Sequence, residues 1–197
     1  MRVDRAVKRK SIICIIIIGL LASCSGEKPP AVEKYFNLPG FLDQQLAILY
    51  QEQPEIVKNI IFGDQVENTV ISGLDSSQWQ KELKIFTEHD INKPVLIDAY
   101  STEEVITDQG GKQLIYRLSD SGNSGILNME VNFDSLDRVA SLSSTFREEN
   151  LLYGNFREVS LTTGPGGKLG QYSVKGYHKL LLNDTVHYQM EVALKYK

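Results

Sequence analysis

The chain has 197 residues, with 21 Lys+Arg, 25 Asp+Glu and two cysteines. The first 23 residues hold five of the basic residues and one acidic residue, so the remainder keeps 16 Lys+Arg against 24 Asp+Glu, a net charge of about −8. That acidic body excludes non-specific nucleic-acid binding, which needs a basic face. Both cysteines, Cys14 and Cys24, fall within the first 24 residues. Everything after Cys24 therefore has no disulfide and no thiolate nucleophile, and must be stabilised by an apolar core. The roughly 174 residues from Cys24 onward suffice for one domain with such a core.

In chain order, the first feature is a basic segment with Arg2, Arg5, Lys8, Arg9 and Lys10, followed by an apolar run from Ser11 to Leu21 centred on Ile15 to Ile18. This is the layout of a secretory signal, and the run is short of the ~20 residues needed to cross a bilayer. The small pair Ala22-Ser23 then precedes Cys24. Leu21-Ala22-Ser23-Cys24 resembles the lipobox of bacterial lipoproteins. The resemblance implies cleavage between Ser23 and Cys24, lipidation of Cys24, and attachment to the cell-envelope membrane through that lipid. Ser25 stands where an inner-membrane retention aspartate would sit in enterobacterial lipoproteins, which favours the outer membrane. Ser25-Gly26-Glu27-Lys28 resembles the charged tags that send some lipoproteins of Bacteroidota-type bacteria to the cell surface, and the body of the chain resembles uncharacterised lipoproteins of such bacteria. The domain reading is a signal peptide at 1–23, a lipidated cysteine and flexible tether at 24–34, and a single globular domain at 35–197.

Leu38, Phe41, Leu42, Leu46 and Leu49 recur at helical spacing and predict a first helix from Leu38 to about Gln51, with Pro39 tolerated in its first turn. Glu55 to Phe62 and Gln65 to Ile71 read as a hairpin turning at Gly63-Asp64. Asp75 with Gln78 has the form of a capping box, and Trp79, Leu83 and Phe86 form the core stripe of a second helix, ended by Asn92 and Pro94. Strands are predicted at Val95 to Tyr100, Glu104 to Thr107 and Lys112 to Leu118. The clearest alternation follows, with Leu127, Met129, Val131 and Phe133 on one face and Asn128, Glu130 and Asn132 on the other. Ala140, Leu142 and Phe146 continue it opposite Ser141, Ser143 and Thr145. Leu151 to Thr162 is a strand whose alternation slips near Gly154-Asn155, as a bulge would make it. Gln171 to Leu182 and Thr185 to Tyr196 form the last hairpin. One apolar and one polar face mark an antiparallel sheet with a single solvated side. The expected fold is α+β: two amphipathic helices packed on a large, curved antiparallel sheet of about eight strands.

Candidate chemistry is sparse. Gly164-Pro165-Gly166-Gly167-Lys168 has the outline of a phosphate loop, but Leu169 stands where a Walker loop needs Ser or Thr, and a strand follows instead of a helix. It reads as a flexible hairpin loop. Glu88-His89-Asp90 offers metal-ligand types at a helix end, where a histidine also suits the helix dipole, but its spacing matches no zinc pattern. His178 shares the apolar parity of Tyr172, Val174, Leu180 and Leu182, which predicts a histidine hydrogen-bonded in or near the core. His178 and His89 are the candidate ligand or catalytic residues, and His187 on the polar face reads as solvated. The pairs Glu103-Glu104 and Glu148-Glu149 sit near predicted turns, where catalytic pairs often lie, but adjacent strand residues face opposite ways, and each pair reads as part of a solvated turn. No Gly-x-Ser-x-Gly elbow occurs. No metal and no cofactor is expected.

These observations favour a membrane-tethered, non-catalytic module that binds a protein partner or envelope component through its polar face and loops. Two alternatives stay open. One is a lipid or lipoprotein carrier, by analogy with outer-membrane lipoprotein receptors that hold acyl chains under a curved sheet. The other is a hydrolase built from loop residues near His89 or His178. The bulk of Met129, Met190, Trp79 and Phe86 predicts a filled core between helices and sheet.

Overall fold

The computed structural model describes residues 33–196 apart from Gln109, Ser121 and Asn183. The expected signal peptide, the expected lipobox with Ser23 and Cys24, and the expected tether up to residue 32 lie outside the described residues. Among the described residues two α-helices and nine strands follow one another: α1 (Leu38–Glu52), β1 (Glu55–Phe62), β2 (Gln65–Ile71), α2 (Ser76–Thr87), β3 (Tyr100–Ile106), β4 (Lys112–Leu118), β5 (Ile126–Phe133), β6 (Val139–Glu149), β7 (Tyr153–Thr163), β8 (Leu169–Leu180) and β9 (Val186–Lys195). All strands join one open antiparallel sheet in the order β2-β1-β9-β8-β7-β6-β5-β4-β3. The class is α+β, with nine strands where about eight were expected. Among the described residues, no helix is long and apolar enough to cross a membrane.

Local chemistry explains the helices. Asn37 caps α1 by accepting from the Gly40 N–H at 2.8 Å, and Gln53 ends it in the left-handed conformation at φ 48°. Asp75 and Gln78 form the reciprocal capping box, each side chain accepting from the other's backbone N–H at 2.8 Å. The second helix stops at Thr87, five residues before Asn92, because the next residues turn His89 into the core. Trp79, Leu83 and Phe86 are buried as their spacing predicts. On α1, Gln45 takes a core position while Leu46 is only half-buried. The amide of Gln45 donates to the Gly167 carbonyl at 3.0 Å and accepts from the Leu169 N–H at 2.8 Å. The glycine-rich loop is therefore a pinned turn rather than a flexible one, with Gly166 and Gly167 at φ 75° and 73°.

Three other sequence expectations change. Pro94 opens a short 3-10 turn, Pro94–Leu96, where a strand from Val95 was expected, and the edge strand begins only at Tyr100. Proline fixes φ and lacks the N–H that a ladder needs. The bulge is absent at Gly154-Asn155, which pair in register with Glu149 and Glu148. Irregularities fall instead at Ile126/Asn128, Asn132/Phe133 and Thr162/Thr163. The first of these turns Ile126, at 3% exposure, into the core position that alternation assigned to Leu127.

Both helices pack on the apolar face of the sheet, where Leu42, Leu49, Trp79 and Phe86 meet Met129, Val131, Leu161 and Val192 in one buried cluster. The most buried ion pair between helix and sheet centres on Glu82. Glu82 on α2 accepts from Lys58 of β1 and from the Tyr172 hydroxyl of β8, each at 2.6 Å. Burial, with the Glu82 charge adding to it, pushes the Tyr172 phenol up, so it stays a donor.

Because every neighbour is antiparallel, the turns fall on two rims. One rim carries the turns at 63–64, 119–125, 150–152 and 181–185, together with the start of β3. The other carries those at 107–111, 134–138 and 164–168. The chain joins the sheet at the first rim. There the Lys34 and Tyr35 N–H groups donate to Asn92 Oδ1 at 3.1 and 3.0 Å, and the Tyr35 hydroxyl donates to the Ile97 carbonyl at 2.5 Å.

Candidate functional site

Among the described residues no helix covers the polar face of the sheet, and its side chains line up by register. One row runs across seven strands: Glu130, Ser143, Ser160, Ser173, Glu191, Asn59 and Asn68. Ser160 and Ser173 share a hydrogen bond at 2.8 Å in its middle. The next row pairs Thr145, Glu158, Lys175 and Gln189, with Lys175 held by Glu158 at 2.8 Å. A third, Arg147, Phe156, Tyr177 and His187, stacks Phe156 on Tyr177 at 5.6 Å and 15°, with His187 tilted against Tyr177 at 5.8 Å.

Three open depressions lie over these rows. One of about 540 Å³ spans β5 to β9, with Glu130, Thr145, Ser160 and Ser173 in its lining. A second of about 460 Å³ shares Ser160, Ser173 and Glu191 with it and extends to Asn59. A third of about 360 Å³ shares Glu158, Lys175 and Gln189 and reaches the Phe156–Tyr177–His187 stack. Each falls within the ~300–1,000 Å³ of small-molecule sites. The donor set is hydroxyls, amides and carboxylates, with aromatic rings at one end. Glu130 and Glu191 stand four strand spacings apart, roughly 19 Å, far beyond the ~5–9.5 Å that paired glycosidase carboxylates require.

The two histidines named as candidates lie elsewhere and apart. His89 is fully buried, with Nδ1 at 2.9 Å from Ser144 Oγ. Ser144 donates its own proton to the Asn128 carbonyl at 2.7 Å, so the proton between the pair sits on His89 Nδ1. Nε2 is buried and has no partner. Burial pushes the imidazole down to about 3, with the Arg157 and Lys93 charges adding to the shift. His89 is therefore neutral, and the expected favourable charge at a helix end is replaced by a neutral ring against Phe146. Ser144 is 2% exposed, so a substrate does not reach its hydroxyl.

His178 departs from the expected place near the core. It keeps the apolar parity, but β8 outruns the helices there, and His178 is exposed with its ring stacked on Tyr188 at 5.1 Å and 24°. His187 is exposed as expected. Glu103 is tied to Arg117 at 2.6 Å, Glu149 to Arg147 at 2.5 Å, and Glu148 accepts from the Tyr153 hydroxyl. Among the described residues, no group of three His, Cys, Asp or Glu side chains is placed to hold a metal. Sequence reasoning assigned Ser143 and Glu130 to the polar face but missed that three serines align across β6, β7 and β8. It also passed over Ser144, a polar residue at an apolar-parity position between Leu142 and Phe146.

Fold and site together define an open antiparallel α+β sheet with one face sealed by helices and the other left uncovered. Compared with known protein families, curated proteins and solved structures, the chain matches none.

Proposed function

We propose that this protein is a lipid-anchored, non-catalytic binding module of the bacterial cell envelope. Its acyl anchor is on Cys24, the outer membrane is favoured over the inner, and its ligand surface is the polar face of a sheet that curves around that face. The observation that carries the reading is the serine row under three connected depressions. Ser160, Ser173, Thr145 and Glu158 are half-buried although no described helix covers them, as side chains in a trough would be. Residues of an acyl-chain cavity, Met129, Val131 and Val192, are instead 0–2% exposed against the helices, which speaks against the carrier. Hydroxyls and amides in rows, a flanking carboxylate and one aromatic platform suit a neutral polyhydroxylated ligand such as an envelope glycan. Such a ligand exchanges hydrogen bonds with water for fixed ones and lays its apolar ring face on Phe156 or Tyr177. Calorimetric titration of the full chain with soluble envelope polysaccharide fragments tests this. Saturable binding lost in both Ser173→Val and Tyr177→Ala is the expected result. Binding that survives both changes, or no binding to any glycan, would overturn it.

A further inference from the structure

Five leucines are displayed at two neighbouring hairpin tips. Leu151 and Leu152 on the β6–β7 turn are 91% and 66% exposed, and Leu180, Leu181 and Leu182 at the end of β8 are 53%, 65% and 91% exposed. The tips are joined, because Tyr153 pairs with Leu180 and the Leu181 N–H donates to the Leu152 carbonyl at 2.9 Å. Phe62, 53% exposed at the end of β1, lies on the same rim. On the opposite rim the exposed apolar residues are fewer: Val105 and Ile106 at the end of β3, and Leu136 between Asp134 and Asp137. Contiguous apolar display of this kind marks an interaction surface.

We propose that the two leucine-tipped hairpins dock into the headgroup region of the bilayer to which the Cys24 anchor holds the protein, an inference that rests on the anchor assigned above. Where the chain leaves the fold carries the argument. Asn92 and Tyr35 fix residues 34–35 at the start of β3, on the rim that bears the leucines. Nine residues, or about ten Cα–Cα steps, separate Lys34 from Cys24, so the contour length bounds the reach at roughly 35 Å. The tips are four to five strands away, roughly 20–24 Å across the sheet. That rim can therefore rest on the membrane within the tether's reach. The anchor makes docking intramolecular, so a few leucines entering the outer ~5–10 Å of the bilayer suffice. The ions flanking the tips, Glu149, Lys179 and Asp184, are of both signs, so the attachment is apolar and indifferent to salt. Docked in this way, the polar face stands across the membrane plane and stays open to the aqueous side.

The test uses the full chain, made in a bacterium that processes lipoproteins and reconstituted into vesicles of phosphatidylethanolamine and phosphatidylglycerol. Mass spectrometry of Cys24 reports the anchor separately. No cysteine follows Cys24, so Leu182→Cys or Leu136→Cys takes a single environment-sensitive dye. The dye at Leu182 should shift to the blue and be quenched by a lipid-borne nitroxide several-fold more than the dye at Leu136. Leu151→Ser/Leu152→Ser/Leu181→Ser should bring the Leu182 signal down to the Leu136 level, since one buried leucine is worth about tenfold in partitioning. Equal quenching at both sites with Cys24 acylated overturns docking and leaves the anchor standing. An unacylated chain, labelled after Cys14→Ser and Cys24→Ser so that Leu182→Cys is its one thiol, whose dye is still quenched on adding vesicles supports docking and removes the anchor. An unacylated chain with no quenching overturns both. Shielding of the Leu182 dye by envelope proteins, with lipid alone ineffective, overturns the bilayer in favour of a protein partner.

Discussion

Strands β5 to β9 have the same backbone on both faces and opposite chemistry. On the helix side, Met129, Leu142, Val159, Val174 and Val192 are at most 4% exposed. On the other side, one residue along, stand Glu130, Ser143, Ser160, Ser173 and Glu191, and no described helix covers them. A residue's contribution to stability comes from the first face, since burial and close packing occur there. The second face contributes little to folding, because its groups already have water as an alternative partner. Its three rows of hydroxyls, amides and charges are therefore free to be selected for recognition. Substitutions should separate the two faces cleanly: large stability losses on one, and on the other losses of binding without unfolding.

The largest effect is expected at Trp79. It is 1% exposed and plugs the space between α2 and the sheet. Trp79→Ala should cost about 3–5 kcal/mol, the range for deleting a buried large aromatic. Denaturant unfolding followed by circular dichroism measures it, since the change removes the chain's one tryptophan. A loss under ~1 kcal/mol would mean that the helices do not seal the apolar face, and the contrast would fail.

His89 sharpens the comparison by adding pH. Its folded-state pKa, pushed down by burial to about 3, lies below the ordinary 6.5 of the unfolded chain. Between those values the unfolded state binds the extra proton, so stability should fall as pH drops from about 6.5 towards about 3. Above about 6.5 neither state is protonated and the residue adds no pH dependence. The slope from this one group reaches ~1.4 kcal/mol per pH unit. His89→Leu keeps the volume, leaves Ser144 bonded to Asn128, and should flatten the stability profile between about pH 7 and pH 4 relative to the parent. Parallel profiles would show that His89 is hydrated rather than sealed.

Much of the sealed face was legible because burial follows period. The 3.6-residue stripe of Trp79, Leu83 and Phe86 and the two-residue alternation of Met129 and Val131 both survive in the structure. Exceptions arise where a polar group satisfies a backbone need that the sequence does not display, as Gln45 does for the Gly164–Lys168 turn. His178 was misplaced for a different reason. Parity tells which face a residue occupies but not how far the covering helices reach. The serine row was hidden in the same way. Alternation put Ser143 on a polar face, but only the register of β6, β7 and β8 brings it beside Ser160 and Ser173. In the sequence the leucine tips read as strand ends, because hydrophobicity alone does not distinguish a strand that continues from a turn that displays it.

The smallest effect on folding, and the most telling, is expected at Ser160 and Ser173. Their hydroxyls bond each other at 2.8 Å, and both residues are half-buried on the uncovered face. In the Ser160→Ala/Ser173→Ala pair both partners leave together, so no donor or acceptor is left stranded. Such paired removal is close to neutral, whereas one orphaned buried group costs about 1–3 kcal/mol. The double variant should therefore unfold within ~0.5 kcal/mol of the parent. Ser160→Ala alone leaves Ser173 facing open water, so it too should stay within ~0.5 kcal/mol. Binding should behave differently. A ligand that takes its hydrogen bonds from this row meets two methyl groups instead, and each lost bond to a desolvated ligand group weakens affinity by ~0.5–1.5 kcal/mol. Equilibrium unfolding and glycan titration on the same preparations read the two quantities independently. A double variant that unfolds more easily by several kcal/mol would place the serine row in the structural scaffold, and the contrast between the faces would be lost. A double variant as stable as the parent that binds as well would keep the contrast but move the ligand off this row, towards Phe156 and Tyr177.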